Sequence, residues 1–199
     1  MKKKSFFQAL KDFIFNPLRF LLPNHITRKL TLSSLQDERI LAVLPEIEGS
    51  LLDVGAGDNI LVNTYGQGVG VDVYDWGGGA LIVKDSAKLP FKSSSFDTIT
   101  CLAALNHIPN REEVVSEVFR LLRPGGHFVV TMIPLWLGKI CHRIQFFDEH
   151  RKREVKEGEL FGMSNQDIID LCTKSGFTFV SHKRFLLSLN NLLKFQKAL

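Results

Sequence analysis

Short apolar runs, broken by glycine and charge, set the rhythm of this chain. Leu51 to Val54, the GVGVD run ending at Asp72, Ala80 to Val83, Phe96 to Thr100 and the HFVVTMI run to Ile133 are too short for buried helices. Their β-branched content predicts buried strands instead. Helical spacing appears between and around them. Val114, Val118 and Leu122, with Val115 and Phe119, put apolar faces on a helix over 110–123. Asn110 is its expected N-cap, Glu113 its N3 acid, and Pro124-Gly125-Gly126 its stop. Leu32 to Leu44 reads as a helix with Ser34 as N-cap, Asp37 three residues on and Pro45 at its end. Only Ile60 to Tyr65 is available for a helix before Gly66 and Gly68. Ser164 opens another through Thr173, with Asp167 at N3 and Gly176 beyond its end. Two last strands, around Phe177–His182 and Asn191–Gln196, suit a hairpin-like pair at a sheet edge. Strands alternating with helices, each strand apolar throughout, predict a parallel sheet covered on both faces.

Size and charge narrow the picture. With 199 residues, 45% of them hydrophobic, there is material for one core and little for a second. The expected division is an arm over 1–30 and a single domain over 31–199, with 135–161 inserted late in the domain. Cys101, Cys141 and Cys172 are odd in number and widely spaced, and neither CxxC nor HExxH occurs. Reduced thiols in a cytoplasmic setting and no metal site are therefore expected. Seven Lys/Arg against one acid, Asp12, put +6 on residues 1–30, which leaves −2 for the rest of a +4 chain. A body of that sign is a poor surface for nucleic acid.

The arm has its own pattern. Behind Lys2, Lys3 and Lys4, apolar residues at 6, 7, 10, 13, 14, 18 and 21 recur at near-helical spacing, and Pro17 kinks or ends the first helix. Residues 1–22 suit a helix lying on an anionic membrane surface, which would make the protein peripheral to the membrane's inner face. They suit equally a helix packed over the core or a cleft with its lysines in water. Lys11, Asp12, Asn16 and Arg19 interrupt the run, which argues against a signal peptide or a membrane span.

The chemistry concentrates at the ends of the predicted strands. Asp53-Val54-Gly55-Ala56-Gly57-Asp58 closes the first strand with a turn that only glycine permits, and two carboxylates flank it. Carboxylates repel phosphate but suit a ligand carrying sulfonium or ammonium charge, such as S-adenosylmethionine. Asp72, followed by Val73, ends the second strand, where a carboxylate can accept hydrogen bonds from both ribose hydroxyls of a nucleoside; the alternative is an ordinary strand-end aspartate capping a loop. Asp75 to Gly79 reads as a flexible loop, Asp85 ends the third strand, and Cys101 and Leu102 leave the fourth. Cys101 lines the pocket in this reading, since nothing near it in sequence would turn it into a nucleophile. His107, a few residues beyond the fourth strand, is the first candidate for a general base, against the alternative that it packs or caps the next helix. Leu135 to Phe161, mixing aromatics with both signs of charge, would cover the crevice as a lid, with His142, Asp148, Glu149 and His150 as candidate acceptor contacts. Its charges read equally well as a solvated excursion.

In this order, LLDVGAGDN, GVGVDVYD, KDSAKLPFKSSSFDTIT and LNHIPN…VFRLLRPGGHFVVTMI resemble the class I S-adenosylmethionine-dependent methyltransferases over about Ser50 to Ile133. The resemblance implies a Rossmann-like, doubly wound, seven-stranded α/β sheet in three layers, mostly parallel with an antiparallel edge strand. It also implies S-adenosylmethionine as cofactor, held by Asp53, Gly55, Ala56, Gly57, Asp72, Val73, Asp85, Ser86, Ala87, Cys101 and Leu102. Asp85 would lie near the adenine amine, with Ser86 and Ala87 around the ring. Two departures stand out: Asn59 occupies the family's usual third-glycine place, and the helix that follows is about a turn short. Both resemble a subgroup that modifies cell-surface glycans and lipids, so the expected acceptor is a small molecule, a glycan or a lipid-linked group. Two rival classes are a non-catalytic cofactor-binding scaffold at a membrane and an NAD-type dinucleotide-binding oxidoreductase. GAGDN lacks the third glycine of the latter and sets Asp58 where pyrophosphate would sit.

Overall fold

The structure is a computed structural model that describes residues 5–15, 24–137, 158–160 and 162–199. Strands β1 (Leu51–Val54), β2 (Val69–Asp72), β3 (Leu81–Ile82), β4 (Phe96–Leu102), β5 (Leu122–Met132), β6 (Phe177–Phe185) and β7 (Asn190–Lys197) form one sheet in the order β3-β2-β1-β4-β5-β7-β6. β3, β2, β1, β4 and β5 run parallel, and β7 pairs antiparallel with both β5 and β6. The antiparallel strand thus falls at the expected side of the sheet, one place in from β6. All four residues of β1 are buried, Asp53 among them, as a central strand covered on both faces requires.

Helices α1 (Phe6–Ile14), α2 (Asn24–Lys29), α3 (Leu35–Val43), α4 (Ile60–Tyr65), α5 (Arg111–Leu121) and α6 (Asn165–Lys174) accompany the sheet. Ile40 and Val43 of α3 pack with Leu61 and Val62 of α4 against Leu51, Val129 and Leu192. A second cluster joins Val114, Val115, Val118 and Leu121 of α5 and Ile168, Leu171 and Cys172 of α6 to Leu52, Ile99, Phe128 and Val130. Two cores on opposite faces of one sheet give the three layers that the alternation predicts.

The capping boxes at Ser34/Asp37 and Ser164/Asp167 form as read, each serine accepting from the N3 amide and each aspartate from the N-cap amide. Two boundaries differ. The α5 helix ends at Leu121, and Pro124-Gly125-Gly126 lies inside β5 rather than between helix and strand. Leu122 pairs with Phe96 across an irregular register, and Gly125 turns at φ +79°, so the helix-breaking residues shape a bulged strand entry. Asn110 precedes α5, but its side chain does not cap the helix.

Candidate active site

The turn after β1 hangs on β2. Gly55 and Ala56 both donate their amides to the Val71 carbonyl, at 2.9 and 3.0 Å. Gly57 donates to Asp72 Oδ2 at 2.9 Å, and Tyr74 to Asp72 Oδ1 at 3.0 Å. Asp72 therefore clasps the glycine turn to the end of its own strand and keeps further lone pairs for a ligand, because each carboxylate oxygen can accept twice. A Cβ on Gly55, at φ +73°, would meet the Ala104 methyl at 2.6 Å, so that position is closed to any side chain. Around Gly57 there is no atom within 4 Å of such a Cβ, which leaves room for a ligand beside its backbone. Asn59 stands at φ +56° at the head of α4, a left-handed conformation that asparagine tolerates better than most side-chain residues. Its buried Oδ1 has no hydrogen-bond partner.

The loop read as flexible, Asp75 to Gly79, folds back across this turn. A Cβ on Gly78 would lie 2.1 Å from the Asp58 carbonyl oxygen, and Gly77 donates to Asp75 Oδ1 at 2.8 Å. Asp58 itself is exposed and accepts from Gln36 Nε2 at 2.7 Å.

Asp53 lies beneath the turn, 2% exposed, and accepts the Thr100 hydroxyl at 2.6 Å. Burial, helped by the nearby Asp72 charge and opposed by the Thr100 hydrogen bond, pushes its carboxyl up to about 7. A cation beside it would favour the ionised form. On the other side of the crevice, Asp85 Oδ1 accepts from the Ala87 amide at 2.9 Å and from Asn110 Nδ2 at 3.0 Å. The asparagine expected to cap α5 ties the loop after β3 to that helix instead. Ser86 is buried, Ala87 half-buried and Val73 exposed. Cys101 is 1% exposed and packs in the core, and burial pushes its thiol up, so it is no nucleophile. Leu102, half-buried, ends β4 ahead of Ala103, a non-glycine residue at φ +52° whose amide reaches the Thr131 carbonyl.

His107 sits in the single 3-10 turn Leu105–His107 beyond β4, and its Nδ1 lies 3.2 Å from Glu159 Oε2. Its Nε2 faces the Asn106 side-chain amide at 3.2 Å. The tautomer this network assigns carries the proton on Nδ1, held by Glu159, and leaves the Nε2 lone pair as acceptor. Residues 158–160 are clasped to this turn: Leu160 donates to the Asn106 carbonyl at 2.8 Å, Asn106 Nδ2 to the Leu160 carbonyl at 3.1 Å, and Arg111 to the Gly158 carbonyl at 2.6 Å. His142, Asp148, Glu149 and His150 lie outside the described residues. Glu159, Asn110 and Thr100 are the site residues that the sequence reading missed. Among the described residues no group of three or more His, Cys, Asp or Glu could hold a metal, and no helix is long and apolar enough to cross a membrane.

The methyltransferase-domain family matches residues 52–130. A sterol 4-C-methyltransferase from Caenorhabditis elegans is 40% identical over 50 residues, 25% of this chain and 15% of the relative. A ubiquinone/menaquinone biosynthesis C-methyltransferase from Pseudomonas fluorescens is 33% identical over 88 residues, 44% of this chain and 30% of the relative. The chain thus spans less than a third of either relative's length. Among solved structures, an S-adenosylmethionine-dependent methyltransferase from Thermotoga maritima superposes with a TM-score of 0.63 at 18% identity, covering 80% of this chain and 88% of that one. At such identity the likeness concerns the fold.

Proposed function

We propose, from the premise that residues 52–130 belong to the class I S-adenosylmethionine-dependent methyltransferase family, that the chain transfers a methyl group to a small-molecule, glycan or lipid-linked acceptor. The observation that carries this reading is the 2.9 Å hydrogen bond from Gly57 to Asp72, which brings a glycine turn with open space beside it against an acid at the next strand's tip. The residues fit the cofactor. Gly55, Ala56 and Gly57 form the bend, Asp72 offers its remaining lone pairs to ribose hydroxyls, Asp53 supplies negative charge on the methionine side, and Asp85, Ser86 and Ala87 border the adenine side. When bound, the cofactor supplies an electrophilic methyl on a positively charged sulfur.

The protein's part is to orient the acceptor, an effect that can contribute about 7–11 kcal/mol where alignment is good. His107 can take a proton from an acceptor hydroxyl or ammonium at Nε2, once that nitrogen exchanges the Asn106 amide for the acceptor. Glu159 holds the ring and stabilises the imidazolium so formed. Calorimetric titration with S-adenosylmethionine and with NADH, followed by mass spectrometry of cell extract incubated with the protein, tests the reading. Heat with the first ligand alone, and an extract component that gains the mass of one methylene, are expected. Heat with NADH alone would overturn the reading. Cofactor binding with no product from any extract would favour the scaffold class. The name-level activity of the relatives extends to this chain only as that proposal, and a cytoplasmic protein peripheral to the membrane's inner face is the setting it suits.

A further inference from the structure

The α1 helix docks the wrong way round for a core helix. Gln8, Lys11 and Asp12 face inward, whereas Phe6, Phe7, Leu10, Phe13 and Ile14 point out, with Phe6 76% and Phe7 80% exposed. The inward side is held by polar contacts. Asp12, 2% exposed, accepts from the Ser33 amide at 3.0 Å and hydroxyl at 2.7 Å, while Gln8 donates to the Thr31 carbonyl at 2.9 Å and Lys11 to the Leu30 carbonyl at 2.8 Å. Burying the polar side and exposing the apolar one makes sense only if a second apolar phase meets the outer face.

We propose that α1 docks this chain on an anionic lipid bilayer. Charge decides between lipid and a second copy of the chain. Asp12 is the one acid among residues 1–30, and it is turned inward, so the exposed apolar face of α1 carries no negative charge, and the sequence of residues 1–30 has a net charge of +6. Two such surfaces would repel across a symmetric dimer, whereas an anionic bilayer attracts each lysine, about fivefold in affinity per residue. Position supports the same partner. Ser33, which holds Asp12, lies three residues before Gln36, and Gln36 donates to Asp58 of the cofactor turn. The helix therefore hangs beside the carboxyl rim of the sheet. That rim also exposes apolar side chains beside its acids: Val73 and Tyr74 after β2, Trp136 after β5 and Leu160 against Asn106. An exposed tryptophan and tyrosine suit the headgroup layer. Resting on the methyltransferase reading, this assigns the acceptor to the amphiphiles of that surface.

The test is sedimentation of the full chain with phosphatidylcholine vesicles, with and without phosphatidylglycerol. Expected are binding to the anionic vesicles, its loss at raised salt, and a drop of at least tenfold in the Phe6→Ser/Phe7→Ser/Phe13→Ser variant. Lys2→Glu/Lys3→Glu/Lys4→Glu should lose binding as well. Equal sedimentation of parent and variants, equal binding to neutral vesicles, or a solution dimer that the phenylalanine variant makes monomeric would each overturn the proposal. Calorimetry with S-adenosylmethionine is run on the same samples. Vesicle binding without cofactor heat sinks the methyltransferase reading and leaves the docking standing, and the converse result does the opposite.

Discussion

Replacing Asp53 with asparagine should change how stability depends on pH, and in a direction the site fixes. Asp53 is buried beneath the glycine turn, and its carboxyl stands near 7 against an ordinary 3.8. Because the folded state holds the proton more tightly, the stability linked to this group is fully present below pH 4 and is lost as the pH rises through 7. Three pH units of difference correspond to about 4 kcal/mol, as an upper figure, at 1.36 kcal/mol per unit. Asparagine has nearly the same shape, and its Oδ1 can still accept the Thr100 hydroxyl, but it has no proton to lose. The cost of seating its amide does not vary with pH in this range. Urea denaturation of both proteins from pH 5 to pH 8 isolates the effect, because every other titrating group is common to the two. The Asp53→Asn protein should gain on the parent by up to about 1.4 kcal/mol per unit from pH 5 towards pH 7, and the gap should level off above pH 7. Parallel curves would refute the assignment, since they would mean that Asp53 is ionised throughout.

Four further outcomes follow from the same rim. Asp72→Ala should weaken S-adenosylmethionine binding ten- to a hundredfold by calorimetry, from the roughly 1.5–3 kcal/mol of a charged hydrogen bond, and unchanged affinity would remove Asp72 from the ribose. Gly55→Ala should cost about 1–3 kcal/mol in urea denaturation, because the methyl meets Ala104 at 2.6 Å in a strained backbone; an unchanged midpoint would deny the close approach. His107→Ala should keep cofactor affinity and lower turnover, and Glu159→Gln should shift the pH profile of turnover. If turnover persists without His107, that histidine only packs the turn.

What the sequence made legible, and what it hid, divides by range. Strands β1, β2, β4 and the second half of β5 were legible because burial on both faces makes them short and rich in apolar and β-branched residues, with Asp53, Asp72 and Asp97 as the acidic exceptions. The two serine capping boxes were legible because donor and acceptor lie three residues apart. Asn110 was misread although it stands where a cap belongs, because Asp85, 25 residues earlier, takes its amide. Glu159 was invisible for the same reason: it meets His107 across 52 residues and sits among other acids that look alike in sequence. Spacing in the arm predicted an amphipathic helix but could not say which face docks. Asp12, which read only as an interruption of the apolar run, settles that by being the buried residue.

The arrangement of acids at this glycine-rich turn weighs against the dinucleotide reading. A pyrophosphate would need amides and positive helix ends with no opposing charge. Here Asp58 stands exposed at the turn, Asp72 takes the Gly57 amide that a phosphate would want, and the α4 helix behind them has only six residues. At an effective dielectric near 20, like charges about 6 Å apart repel by about 3 kcal/mol, so a single such pair costs roughly a hundredfold in affinity. A sulfonium in the same place reverses the sign. On the proposed reading it would also draw Asp53, balanced near neutrality, into its ionised form, so the acid whose ionisation weakens the fold at high pH would become a favourable partner for that cation. On that reading the same side chain would link the pH dependence of stability to cofactor binding.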